Sequence, residues 1–347
     1  LGGEEYKEPY PGCIRVPRRS AERFLTLARR LVSREYRVEQ CGDSVCIPVV
    51  DAAKALAVAR DAGLAAEECR HTFKPRQKSP RSLRELFPGL ELHSYVAVGD
   101  IVVFHPRASI PLSDLEAAAR YLVAERGYRS VYAKLETTGV ERRARLILLA
   151  GEDNPVTLLR EYGLEFVVDV EKAYVNPRLG YERRRIALQV KQGELVLDLF
   201  TGVGGHAVHI AHHVEAEILA MDINPHAVEL LAMNIRRNKG RLKGLIHPLQ
   251  ADASTAPRLV RRKADRIISD NPTMHDRFIN VECSLSKEGT VIHHYMVASD
   301  ELDPSNILTV YSEHGCLVSL TDYRRALPYS PRKSIWSLTL RVDRLLE

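Results

Sequence analysis

No stretch of the 347 residues stays apolar over the roughly 18 positions a membrane helix needs, which sets aside an integral helical membrane protein. Glu4, Glu5, Lys7 and Glu8 come before any apolar run, so no secretory leader is read there and the expected compartment is the cytoplasm. No Cys-x-x-Cys pair occurs among the six cysteines at 13, 41, 46, 69, 283 and 316, so no metal site is expected. Cys41 and Cys46 flank Gly42-Asp43-Ser44 and can face each other across a hairpin. Two reduced, half-buried thiols are the expectation, with a disulfide as the alternative. Internal repeats and low-complexity tracts are also missing, which excludes solenoids and disordered tethers as the main architecture.

Neither sign of charge dominates. Fifty Lys and Arg stand against 45 Asp and Glu, a net charge of +5. That mild excess is compatible with a polyanionic partner without demanding one. Runs such as Glu141-Arg142-Arg143 and Glu182-Arg183-Arg184-Arg185 interleave the signs, a habit that suits proteins of hot environments. With 45% hydrophobic and 27% charged residues the chain reads as globular. At about 150 residues per domain its length predicts two or three domains.

Residues 1–72 read as a small α+β module. Ser20 is expected to cap a helix with Phe24, Leu27 and Leu31 on one face, and strands are expected on either side of Gly42-Asp43. A basic, proline-containing linker occupies 73–82, with Lys74, Arg76, Lys78 and Arg81; it serves either as a solvated tether or as a phosphate contact. Residues 83–155 predict a second α+β module, with a hairpin about Gly99-Asp100 and a helix over Leu112–Arg126. From 156 to 347 strands alternate with helices, the pattern of a parallel sheet covered on both faces.

The first strand of that alternation ends in Asp198-Leu-Phe200-Thr-Gly202-Val-Gly204-Gly205, and a helix comes next. Glycines there let the backbone turn tightly and approach a ligand. The spacing is not the Gly-x-Gly-x-x-Gly of dinucleotide sites. The second strand ends in Asp222-Ile223, where an acid can accept both hydroxyls of a ribose. The third runs into Asp252-Ala253, where an acid can accept an adenine amino proton. One acid at each of three successive strand ends is the layout of enzymes that use S-adenosylmethionine. The fold class expected is therefore α/β, a doubly wound Rossmann-like class I methyltransferase domain preceded by small α+β modules. His206, His209, His212 and His213 are expected to form a partly exposed helix face, with no acid to complete a metal site.

The chain resembles the archaeal and eukaryotic tRNA (guanine-37 N1)-methyltransferases and their wyosine-synthesis relatives. The likeness rests on Val98-Gly99-Asp100, Ala133-Lys134-Leu135, Gly139-x-x-Arg142, Asn176-Pro177-Arg178-Leu179-Gly180-Tyr181-Glu182-Arg183, Asp198-Leu-Phe-Thr-Gly-Val-Gly, Met221-Asp222-Ile-Asn-Pro, Ile292-His293-His294-Tyr295 and Tyr329-Ser330-Pro331. The resemblance implies a small N-terminal module on the outer corner of tRNA and a grip on the anticodon loop by the rest. It implies Glu182 as the base that removes the guanine N1 proton, and Arg142 as the cation that meets charge on O6. Tyr174, Arg183 and Phe200 are expected at the cofactor pocket, and Arg178, Arg184, Tyr329 and Pro331 at the RNA. Each charged member of this set is otherwise a surface ion-pair partner.

Departures are visible. The loop after the fourth strand, usually Asn-x-Pro, is Asp270-Asn271-Pro272 here, so those three residues enter the catalytic set with a carboxylate replacing an amide. The usual His-Lys-Glu-Asn-Gly is Leu159-Arg160-Glu161-Tyr162-Gly163. The expected activity is methyl transfer to N1 of guanosine 37 by a monomer. The alternatives are methyl or aminocarboxypropyl transfer to a wyosine intermediate, methylation of the guanine exocyclic amine, or a tRNA-binding module without catalysis.

Overall fold

The computed structural model describes residues 12–75, 82–88, 90, 92–106, 110–139, 141 and 143–346. The chain divides into two compact units, 1–82 and 83–347. The central part of the basic linker, 76–81, and Arg142 lie outside the described residues.

The first unit contains β1 (Gly12–Pro17), α1 (Arg18–Leu27), β2 (Glu39–Cys41), β3 (Ser44–Val49), α2 (Ala52–Asp61) and β4 (Glu67–Cys69), with sheet order β2-β3-β1-β4. Helix α1 starts two residues before Ser20. Pro17, whose ring presets φ near −53°, occupies the capping position, and no side chain caps there. Phe24 is buried, but Leu27 is half exposed and Leu31 lies past the helix end, so the expected apolar face is shorter than its spacing suggested. The cysteines are also corrected: Cys41 bonds Cys46, Cys13 bonds Cys69, and in the second unit Cys283 bonds Cys316. Cys13 and Cys69 are register partners on adjacent strands, a pairing that no local spacing announces.

The second unit begins with α3 (Leu83–Leu86), β5 (Leu92–Val98), β6 (Ile101–Pro106), α4 (Leu112–Arg126), β7 (Ser130–Thr138) and β8 (Arg143–Gly151). The strands form a four-stranded sheet in that order, with β6 and β7 parallel across α4. Next comes a hairpin, β9 (Val156–Glu161) and β10 (Leu164–Asp169). Residues 83–155 do not separate from the remainder of the second unit. Thr157 donates to Asp100 at 2.7 Å, Arg129 donates to the Val156 carbonyl at 2.7 Å, and Asn224 donates to the Glu141 carbonyl at 3.2 Å.

The larger sheet is built from β11 (Leu195–Asp198), β12 (Glu217–Asp222), β13 (Leu245–Gln250), β14 (Arg266–Ser269), β15 (Val291–Ser299), β16 (Cys316–Ser330) and β17 (Lys333–Leu345). Its order is β13-β12-β11-β14-β15-β17-β16; the first five strands are parallel and the last two form an antiparallel hairpin. Around it lie α5 (Gly180–Ala187), α6 (Gly205–His213), α7 (Pro225–Asn238), α8 (Ala256–Leu259), α9 (Ile279–Leu285) and α10 (Ser305–Glu313). Apolar strand residues such as Val196, Leu197 and Ile267 are buried on both faces, as a helix-covered parallel sheet requires. The strand order reverses between β11 and β14. Ligands bind at such a switch point, beyond the C-terminal strand edges.

Candidate active site

A cavity of about 450 Å³ opens there. Its walls bring together Tyr174, Arg178, Arg183, Phe200, Gly202, Asp222, Ile223, Asp252, Ala253, Asp270, Asn271, Pro272 and Tyr329 from the expected set. The glycine loop makes the floor. Gly202 and Gly204 hold φ of +54° and +94°, the left-handed region, and a Cβ on Gly204 would come within 2.4 Å of Leu231.

Asp222 closes the loop from below. It accepts from the Gly202 amide at 2.8 Å and the Asn224 amide at 2.9 Å. Burial outweighs these bonds and raises its carboxyl above the ordinary value. Asp252 accepts from the Ser254 amide at 2.8 Å and so fixes the turn after β13. Asn271 Oδ1 and Thr201 Oγ1 are buried without a hydrogen-bond partner among the described residues, and both residues line the cavity. Acceptors of this kind, beside two strand-end acids, fit the hydroxyl and amino donors of S-adenosylmethionine. A nucleoside without a pyrophosphate makes no demand for a cluster of cations.

Other expected residues sit elsewhere. Asp198 is fully buried beneath the loop and does not line the cavity; Gly204, Arg184 and Pro331 do not line it either. Arg183 does, but its guanidinium is committed to Glu161 at 2.6 Å and to the Asn176 carbonyl at 2.8 Å. Arg184 stacks over Tyr162, 4.6 Å from the ring centroid. Pro331 is exposed at the β16–β17 turn, while Tyr329, near the end of β16, is half exposed and keeps its place on the cavity wall. Glu182 is buried in α5. Arg185 grips both its oxygens, at 2.7 and 2.9 Å, and the Tyr295 hydroxyl donates to it at 3.2 Å. Burial raises the Glu182 carboxyl, but the Arg185 and Ser337 side chains more than reverse this and hold it below the ordinary value.

The histidines of α6 depart from expectation. His206 and His209 are buried rather than lying on a solvated face. An acid does meet His209: Glu161 Oε2 is 3.2 Å from its Nε2. His206 lines the cavity with Nε2 3.4 Å from Asp270 Oδ2, a pairing that sequence inspection missed. The available signal was its place in the first turn after the glycine loop, facing the strand edge that carries the altered Asp270. Arg185 and Tyr295 were also missed as partners of Glu182. The contact from Tyr295 joins α5 to β15, more than a hundred residues apart, and leaves no local pattern.

Residues 157–321 match the TRM5/TYW2 methyltransferase domain. The tRNA (guanine(37)-N(1))-methyltransferase Trm5b of Methanocaldococcus jannaschii is 30% identical over 96% of this chain and 99% of its own. The tRNA(Phe) (4-demethylwyosine(37)-C(7)) aminocarboxypropyltransferase of Pyrococcus horikoshii is 27% identical over 77% of this chain and 96% of its own. A solved complex of aTrm5 with tRNALeu superposes with a TM-score of 0.67 at 27% identity, covering 96% of this chain and 100% of the other. With a doubly wound sheet, an acid at each of the three strand ends and full-length likeness to these enzymes, this chain belongs to the TRM5/TYW2 methyltransferase family.

Proposed function

We propose that the protein methylates N1 of guanosine 37 in tRNA, beside the anticodon, acting as a cytoplasmic monomer. The observation that carries the reading is a single cavity wall that joins Asp222 and Asp252 to the Asp270-Asn271-Pro272 loop. The two strand-end acids would take the ribose and adenine donors of the cofactor, and the loop would take the base. S-adenosylmethionine, when bound, supplies an electrophilic methyl group on a sulfonium. The protein's own contribution is to orient the guanine, exclude water and receive the N1 proton, because N1 is a poor nucleophile until that proton leaves. Arg142, outside the described residues, keeps in this reading the task of meeting charge on O6.

The test is methylation of three transcripts that differ only at position 37. Guanosine and inosine, which both carry an N1 proton, should react, and adenosine should not. Inert inosine beside reactive guanosine would move the target to the exocyclic amine. If both are inert while tRNA carrying 4-demethylwyosine reacts, the protein acts later in wyosine synthesis.

A further inference from the structure

The strands β1, β2, β3 and β4 of the first unit each carry one cysteine: Cys13, Cys41, Cys46 and Cys69. Strand register puts all four on one face of the sheet. Cys13 lies opposite Cys69. Arg15 lies two positions on from Cys13 and opposite Cys46, and Cys41 lies opposite Ser44, two positions before Cys46. The other face carries Ile14 and Ile47 and packs with Phe24 of α1 and Ala55 of α2. The cysteine face packs with Tyr36 and Phe73 instead, in a small apolar cluster where Cys13 and Cys46 are buried. The four sulfurs are paired as two disulfides, and the two pairs are neighbours. The ligand atoms of Cys13, Cys46 and Cys69 lie within 4.8 Å of one another, and so do those of Cys41, Cys46 and His71. An edge of a tetrahedral zinc–thiolate site is about 3.8 Å, inside that limit. His71 Nδ1 is 3.6 Å from Cys41 Sγ, and its Nε2 is 3.0 Å from Glu39 Oε2. A carboxylate behind an imidazole is the arrangement that fixes imidazoles at metal centres.

We propose that, once its disulfides are reduced, the first unit binds one zinc ion through the thiolates of Cys13, Cys41, Cys46 and Cys69, with His71, held by Glu39, as the hydrogen-bonding neighbour of the Cys41 sulfur. A unit of this size builds only a small core, here around Ile14, Phe24 and Ile47, and needs a staple. Disulfides serve where thiols are oxidised, and a metal serves where they are kept reduced. The same four sulfurs provide both. In the exchange, a dithiol reductant gives two electrons and two protons to each disulfide and ends as a disulfide itself. Four thiols result. Zinc displaces their four protons to water as four Zn–S bonds form, so electrons, protons and charge balance. No Cys-x-x-Cys spacing announces the site, because each ligand comes from a different strand. Cys283 and Cys316 provide the contrast within the chain. They form the disulfide of the second unit, and no third metal-ligating side chain joins them among the described residues.

The test uses the full-length protein, reduced with a water-soluble phosphine in the absence of oxygen, desalted, and titrated with zinc against a colorimetric chelator. The reduced protein should take up one equivalent. The protein with its disulfides intact, verified by mass, should take up none. Cobalt(II) in place of zinc should give the intense sulfur-to-metal absorption and the tetrahedral d–d bands of four thiolate ligands. Cys46→Ser should weaken zinc binding by about 10²-fold or more, and His71→Ala by about tenfold with the stoichiometry unchanged. A Cys283→Ser/Cys316→Ser chain should bind as wild type does. In limited proteolysis the first unit should be cut faster after reduction, and zinc should return its cleavage rate to within about threefold of the oxidised protein. The proposal is overturned by a reduced protein that takes up no zinc, by equal uptake with the disulfides intact, or by a cobalt spectrum with fewer than four thiolates. Wild-type affinity in Cys46→Ser, loss of zinc from the Cys283→Ser/Cys316→Ser chain, or cleavage that zinc does not slow overturns it as well. Should Cys46→Ser fail to fold, the cobalt spectrum of the unaltered protein still counts the ligands.

Discussion

Asp198 ends β11 with its carboxylate fully buried and neither oxygen hydrogen-bonded among the described residues. Burial pushes its pKa from 3.8 to about 6. Folding therefore favours the neutral acid. The contribution is complete below the unfolded value and is lost as pH rises through the folded one. Asp198→Asn removes the buried charge. It should raise unfolding free energy at pH 7.5 by up to about 3 kcal/mol, two pKa units' worth, and change little at pH 3.5. Denaturant melts at the two pH values decide it: an equal change at both would mean the carboxylate is not held out of water. At this scale the sequence was informative about residue type and silent about partners. Glu182, Arg183 and Arg184 are consecutive and all charged, yet one is gripped by Arg185, one by Glu161 and one by an aromatic ring.

The β9–β10 hairpin is tied to both α5 and α6 through Glu161. Its two-residue turn places Tyr162 and Gly163 at φ of +48° and +83°, the geometry that matches strand twist and usually selects Asn-Gly. Tyrosine holds the first of these positions here, with the Arg184 guanidinium over its ring. Glu161, at the end of β9, joins Arg183 of α5 to His209 of α6 with little exposure. Burial raises its carboxyl, but His209 and Arg183 together bring it below the ordinary value. Its stabilisation is therefore present at neutral pH and is lost as pH falls through the depressed value. Glu161→Gln should cost about 2–4 kcal/mol at pH 7, because Arg183 then stays buried without its counter-charge, and much less at pH 3. Chemical denaturation at both pH values measures it; a neutral substitution at pH 7 would show that the triad is not coupled to folding.

The units 1–82 and 83–347 each have their own core, one around Ile14, Phe24 and Ile47 and others around the sheets of the second unit. Their disulfides also stay within units, two in the first and one in the second. A chain beginning at residue 83 should therefore fold, with cofactor affinity within about threefold of the full-length protein. If the first unit holds the outer corner of tRNA, removing it should weaken tRNA binding by tenfold or more. The dependence of log K on log salt should also become shallower as contacts from Lys and Arg to phosphate are lost. Filter binding across a salt series reads both quantities. Equal affinity and slope in the two proteins would leave the first unit without a part in RNA recognition.

Part of the fold and of the site was legible in local pattern. The helix over Leu112–Arg126, the strand Arg266–Ser269 and the acids at Asp198, Asp222 and Asp252 come from periodicity, glycine placement and strand ends, and these are properties of neighbouring residues. Which partner each charge met was settled only by packing. Arg185 and Tyr295 reach Glu182 from its own helix and from β15, while Asp270 keeps an open side and a buried imidazole. The same holds for Cys13 and Cys69, 56 positions apart and joined only because β1 and β4 lie side by side. Coulomb attraction and desolvation act through a few ångströms of space, and separation along the chain does not measure that distance.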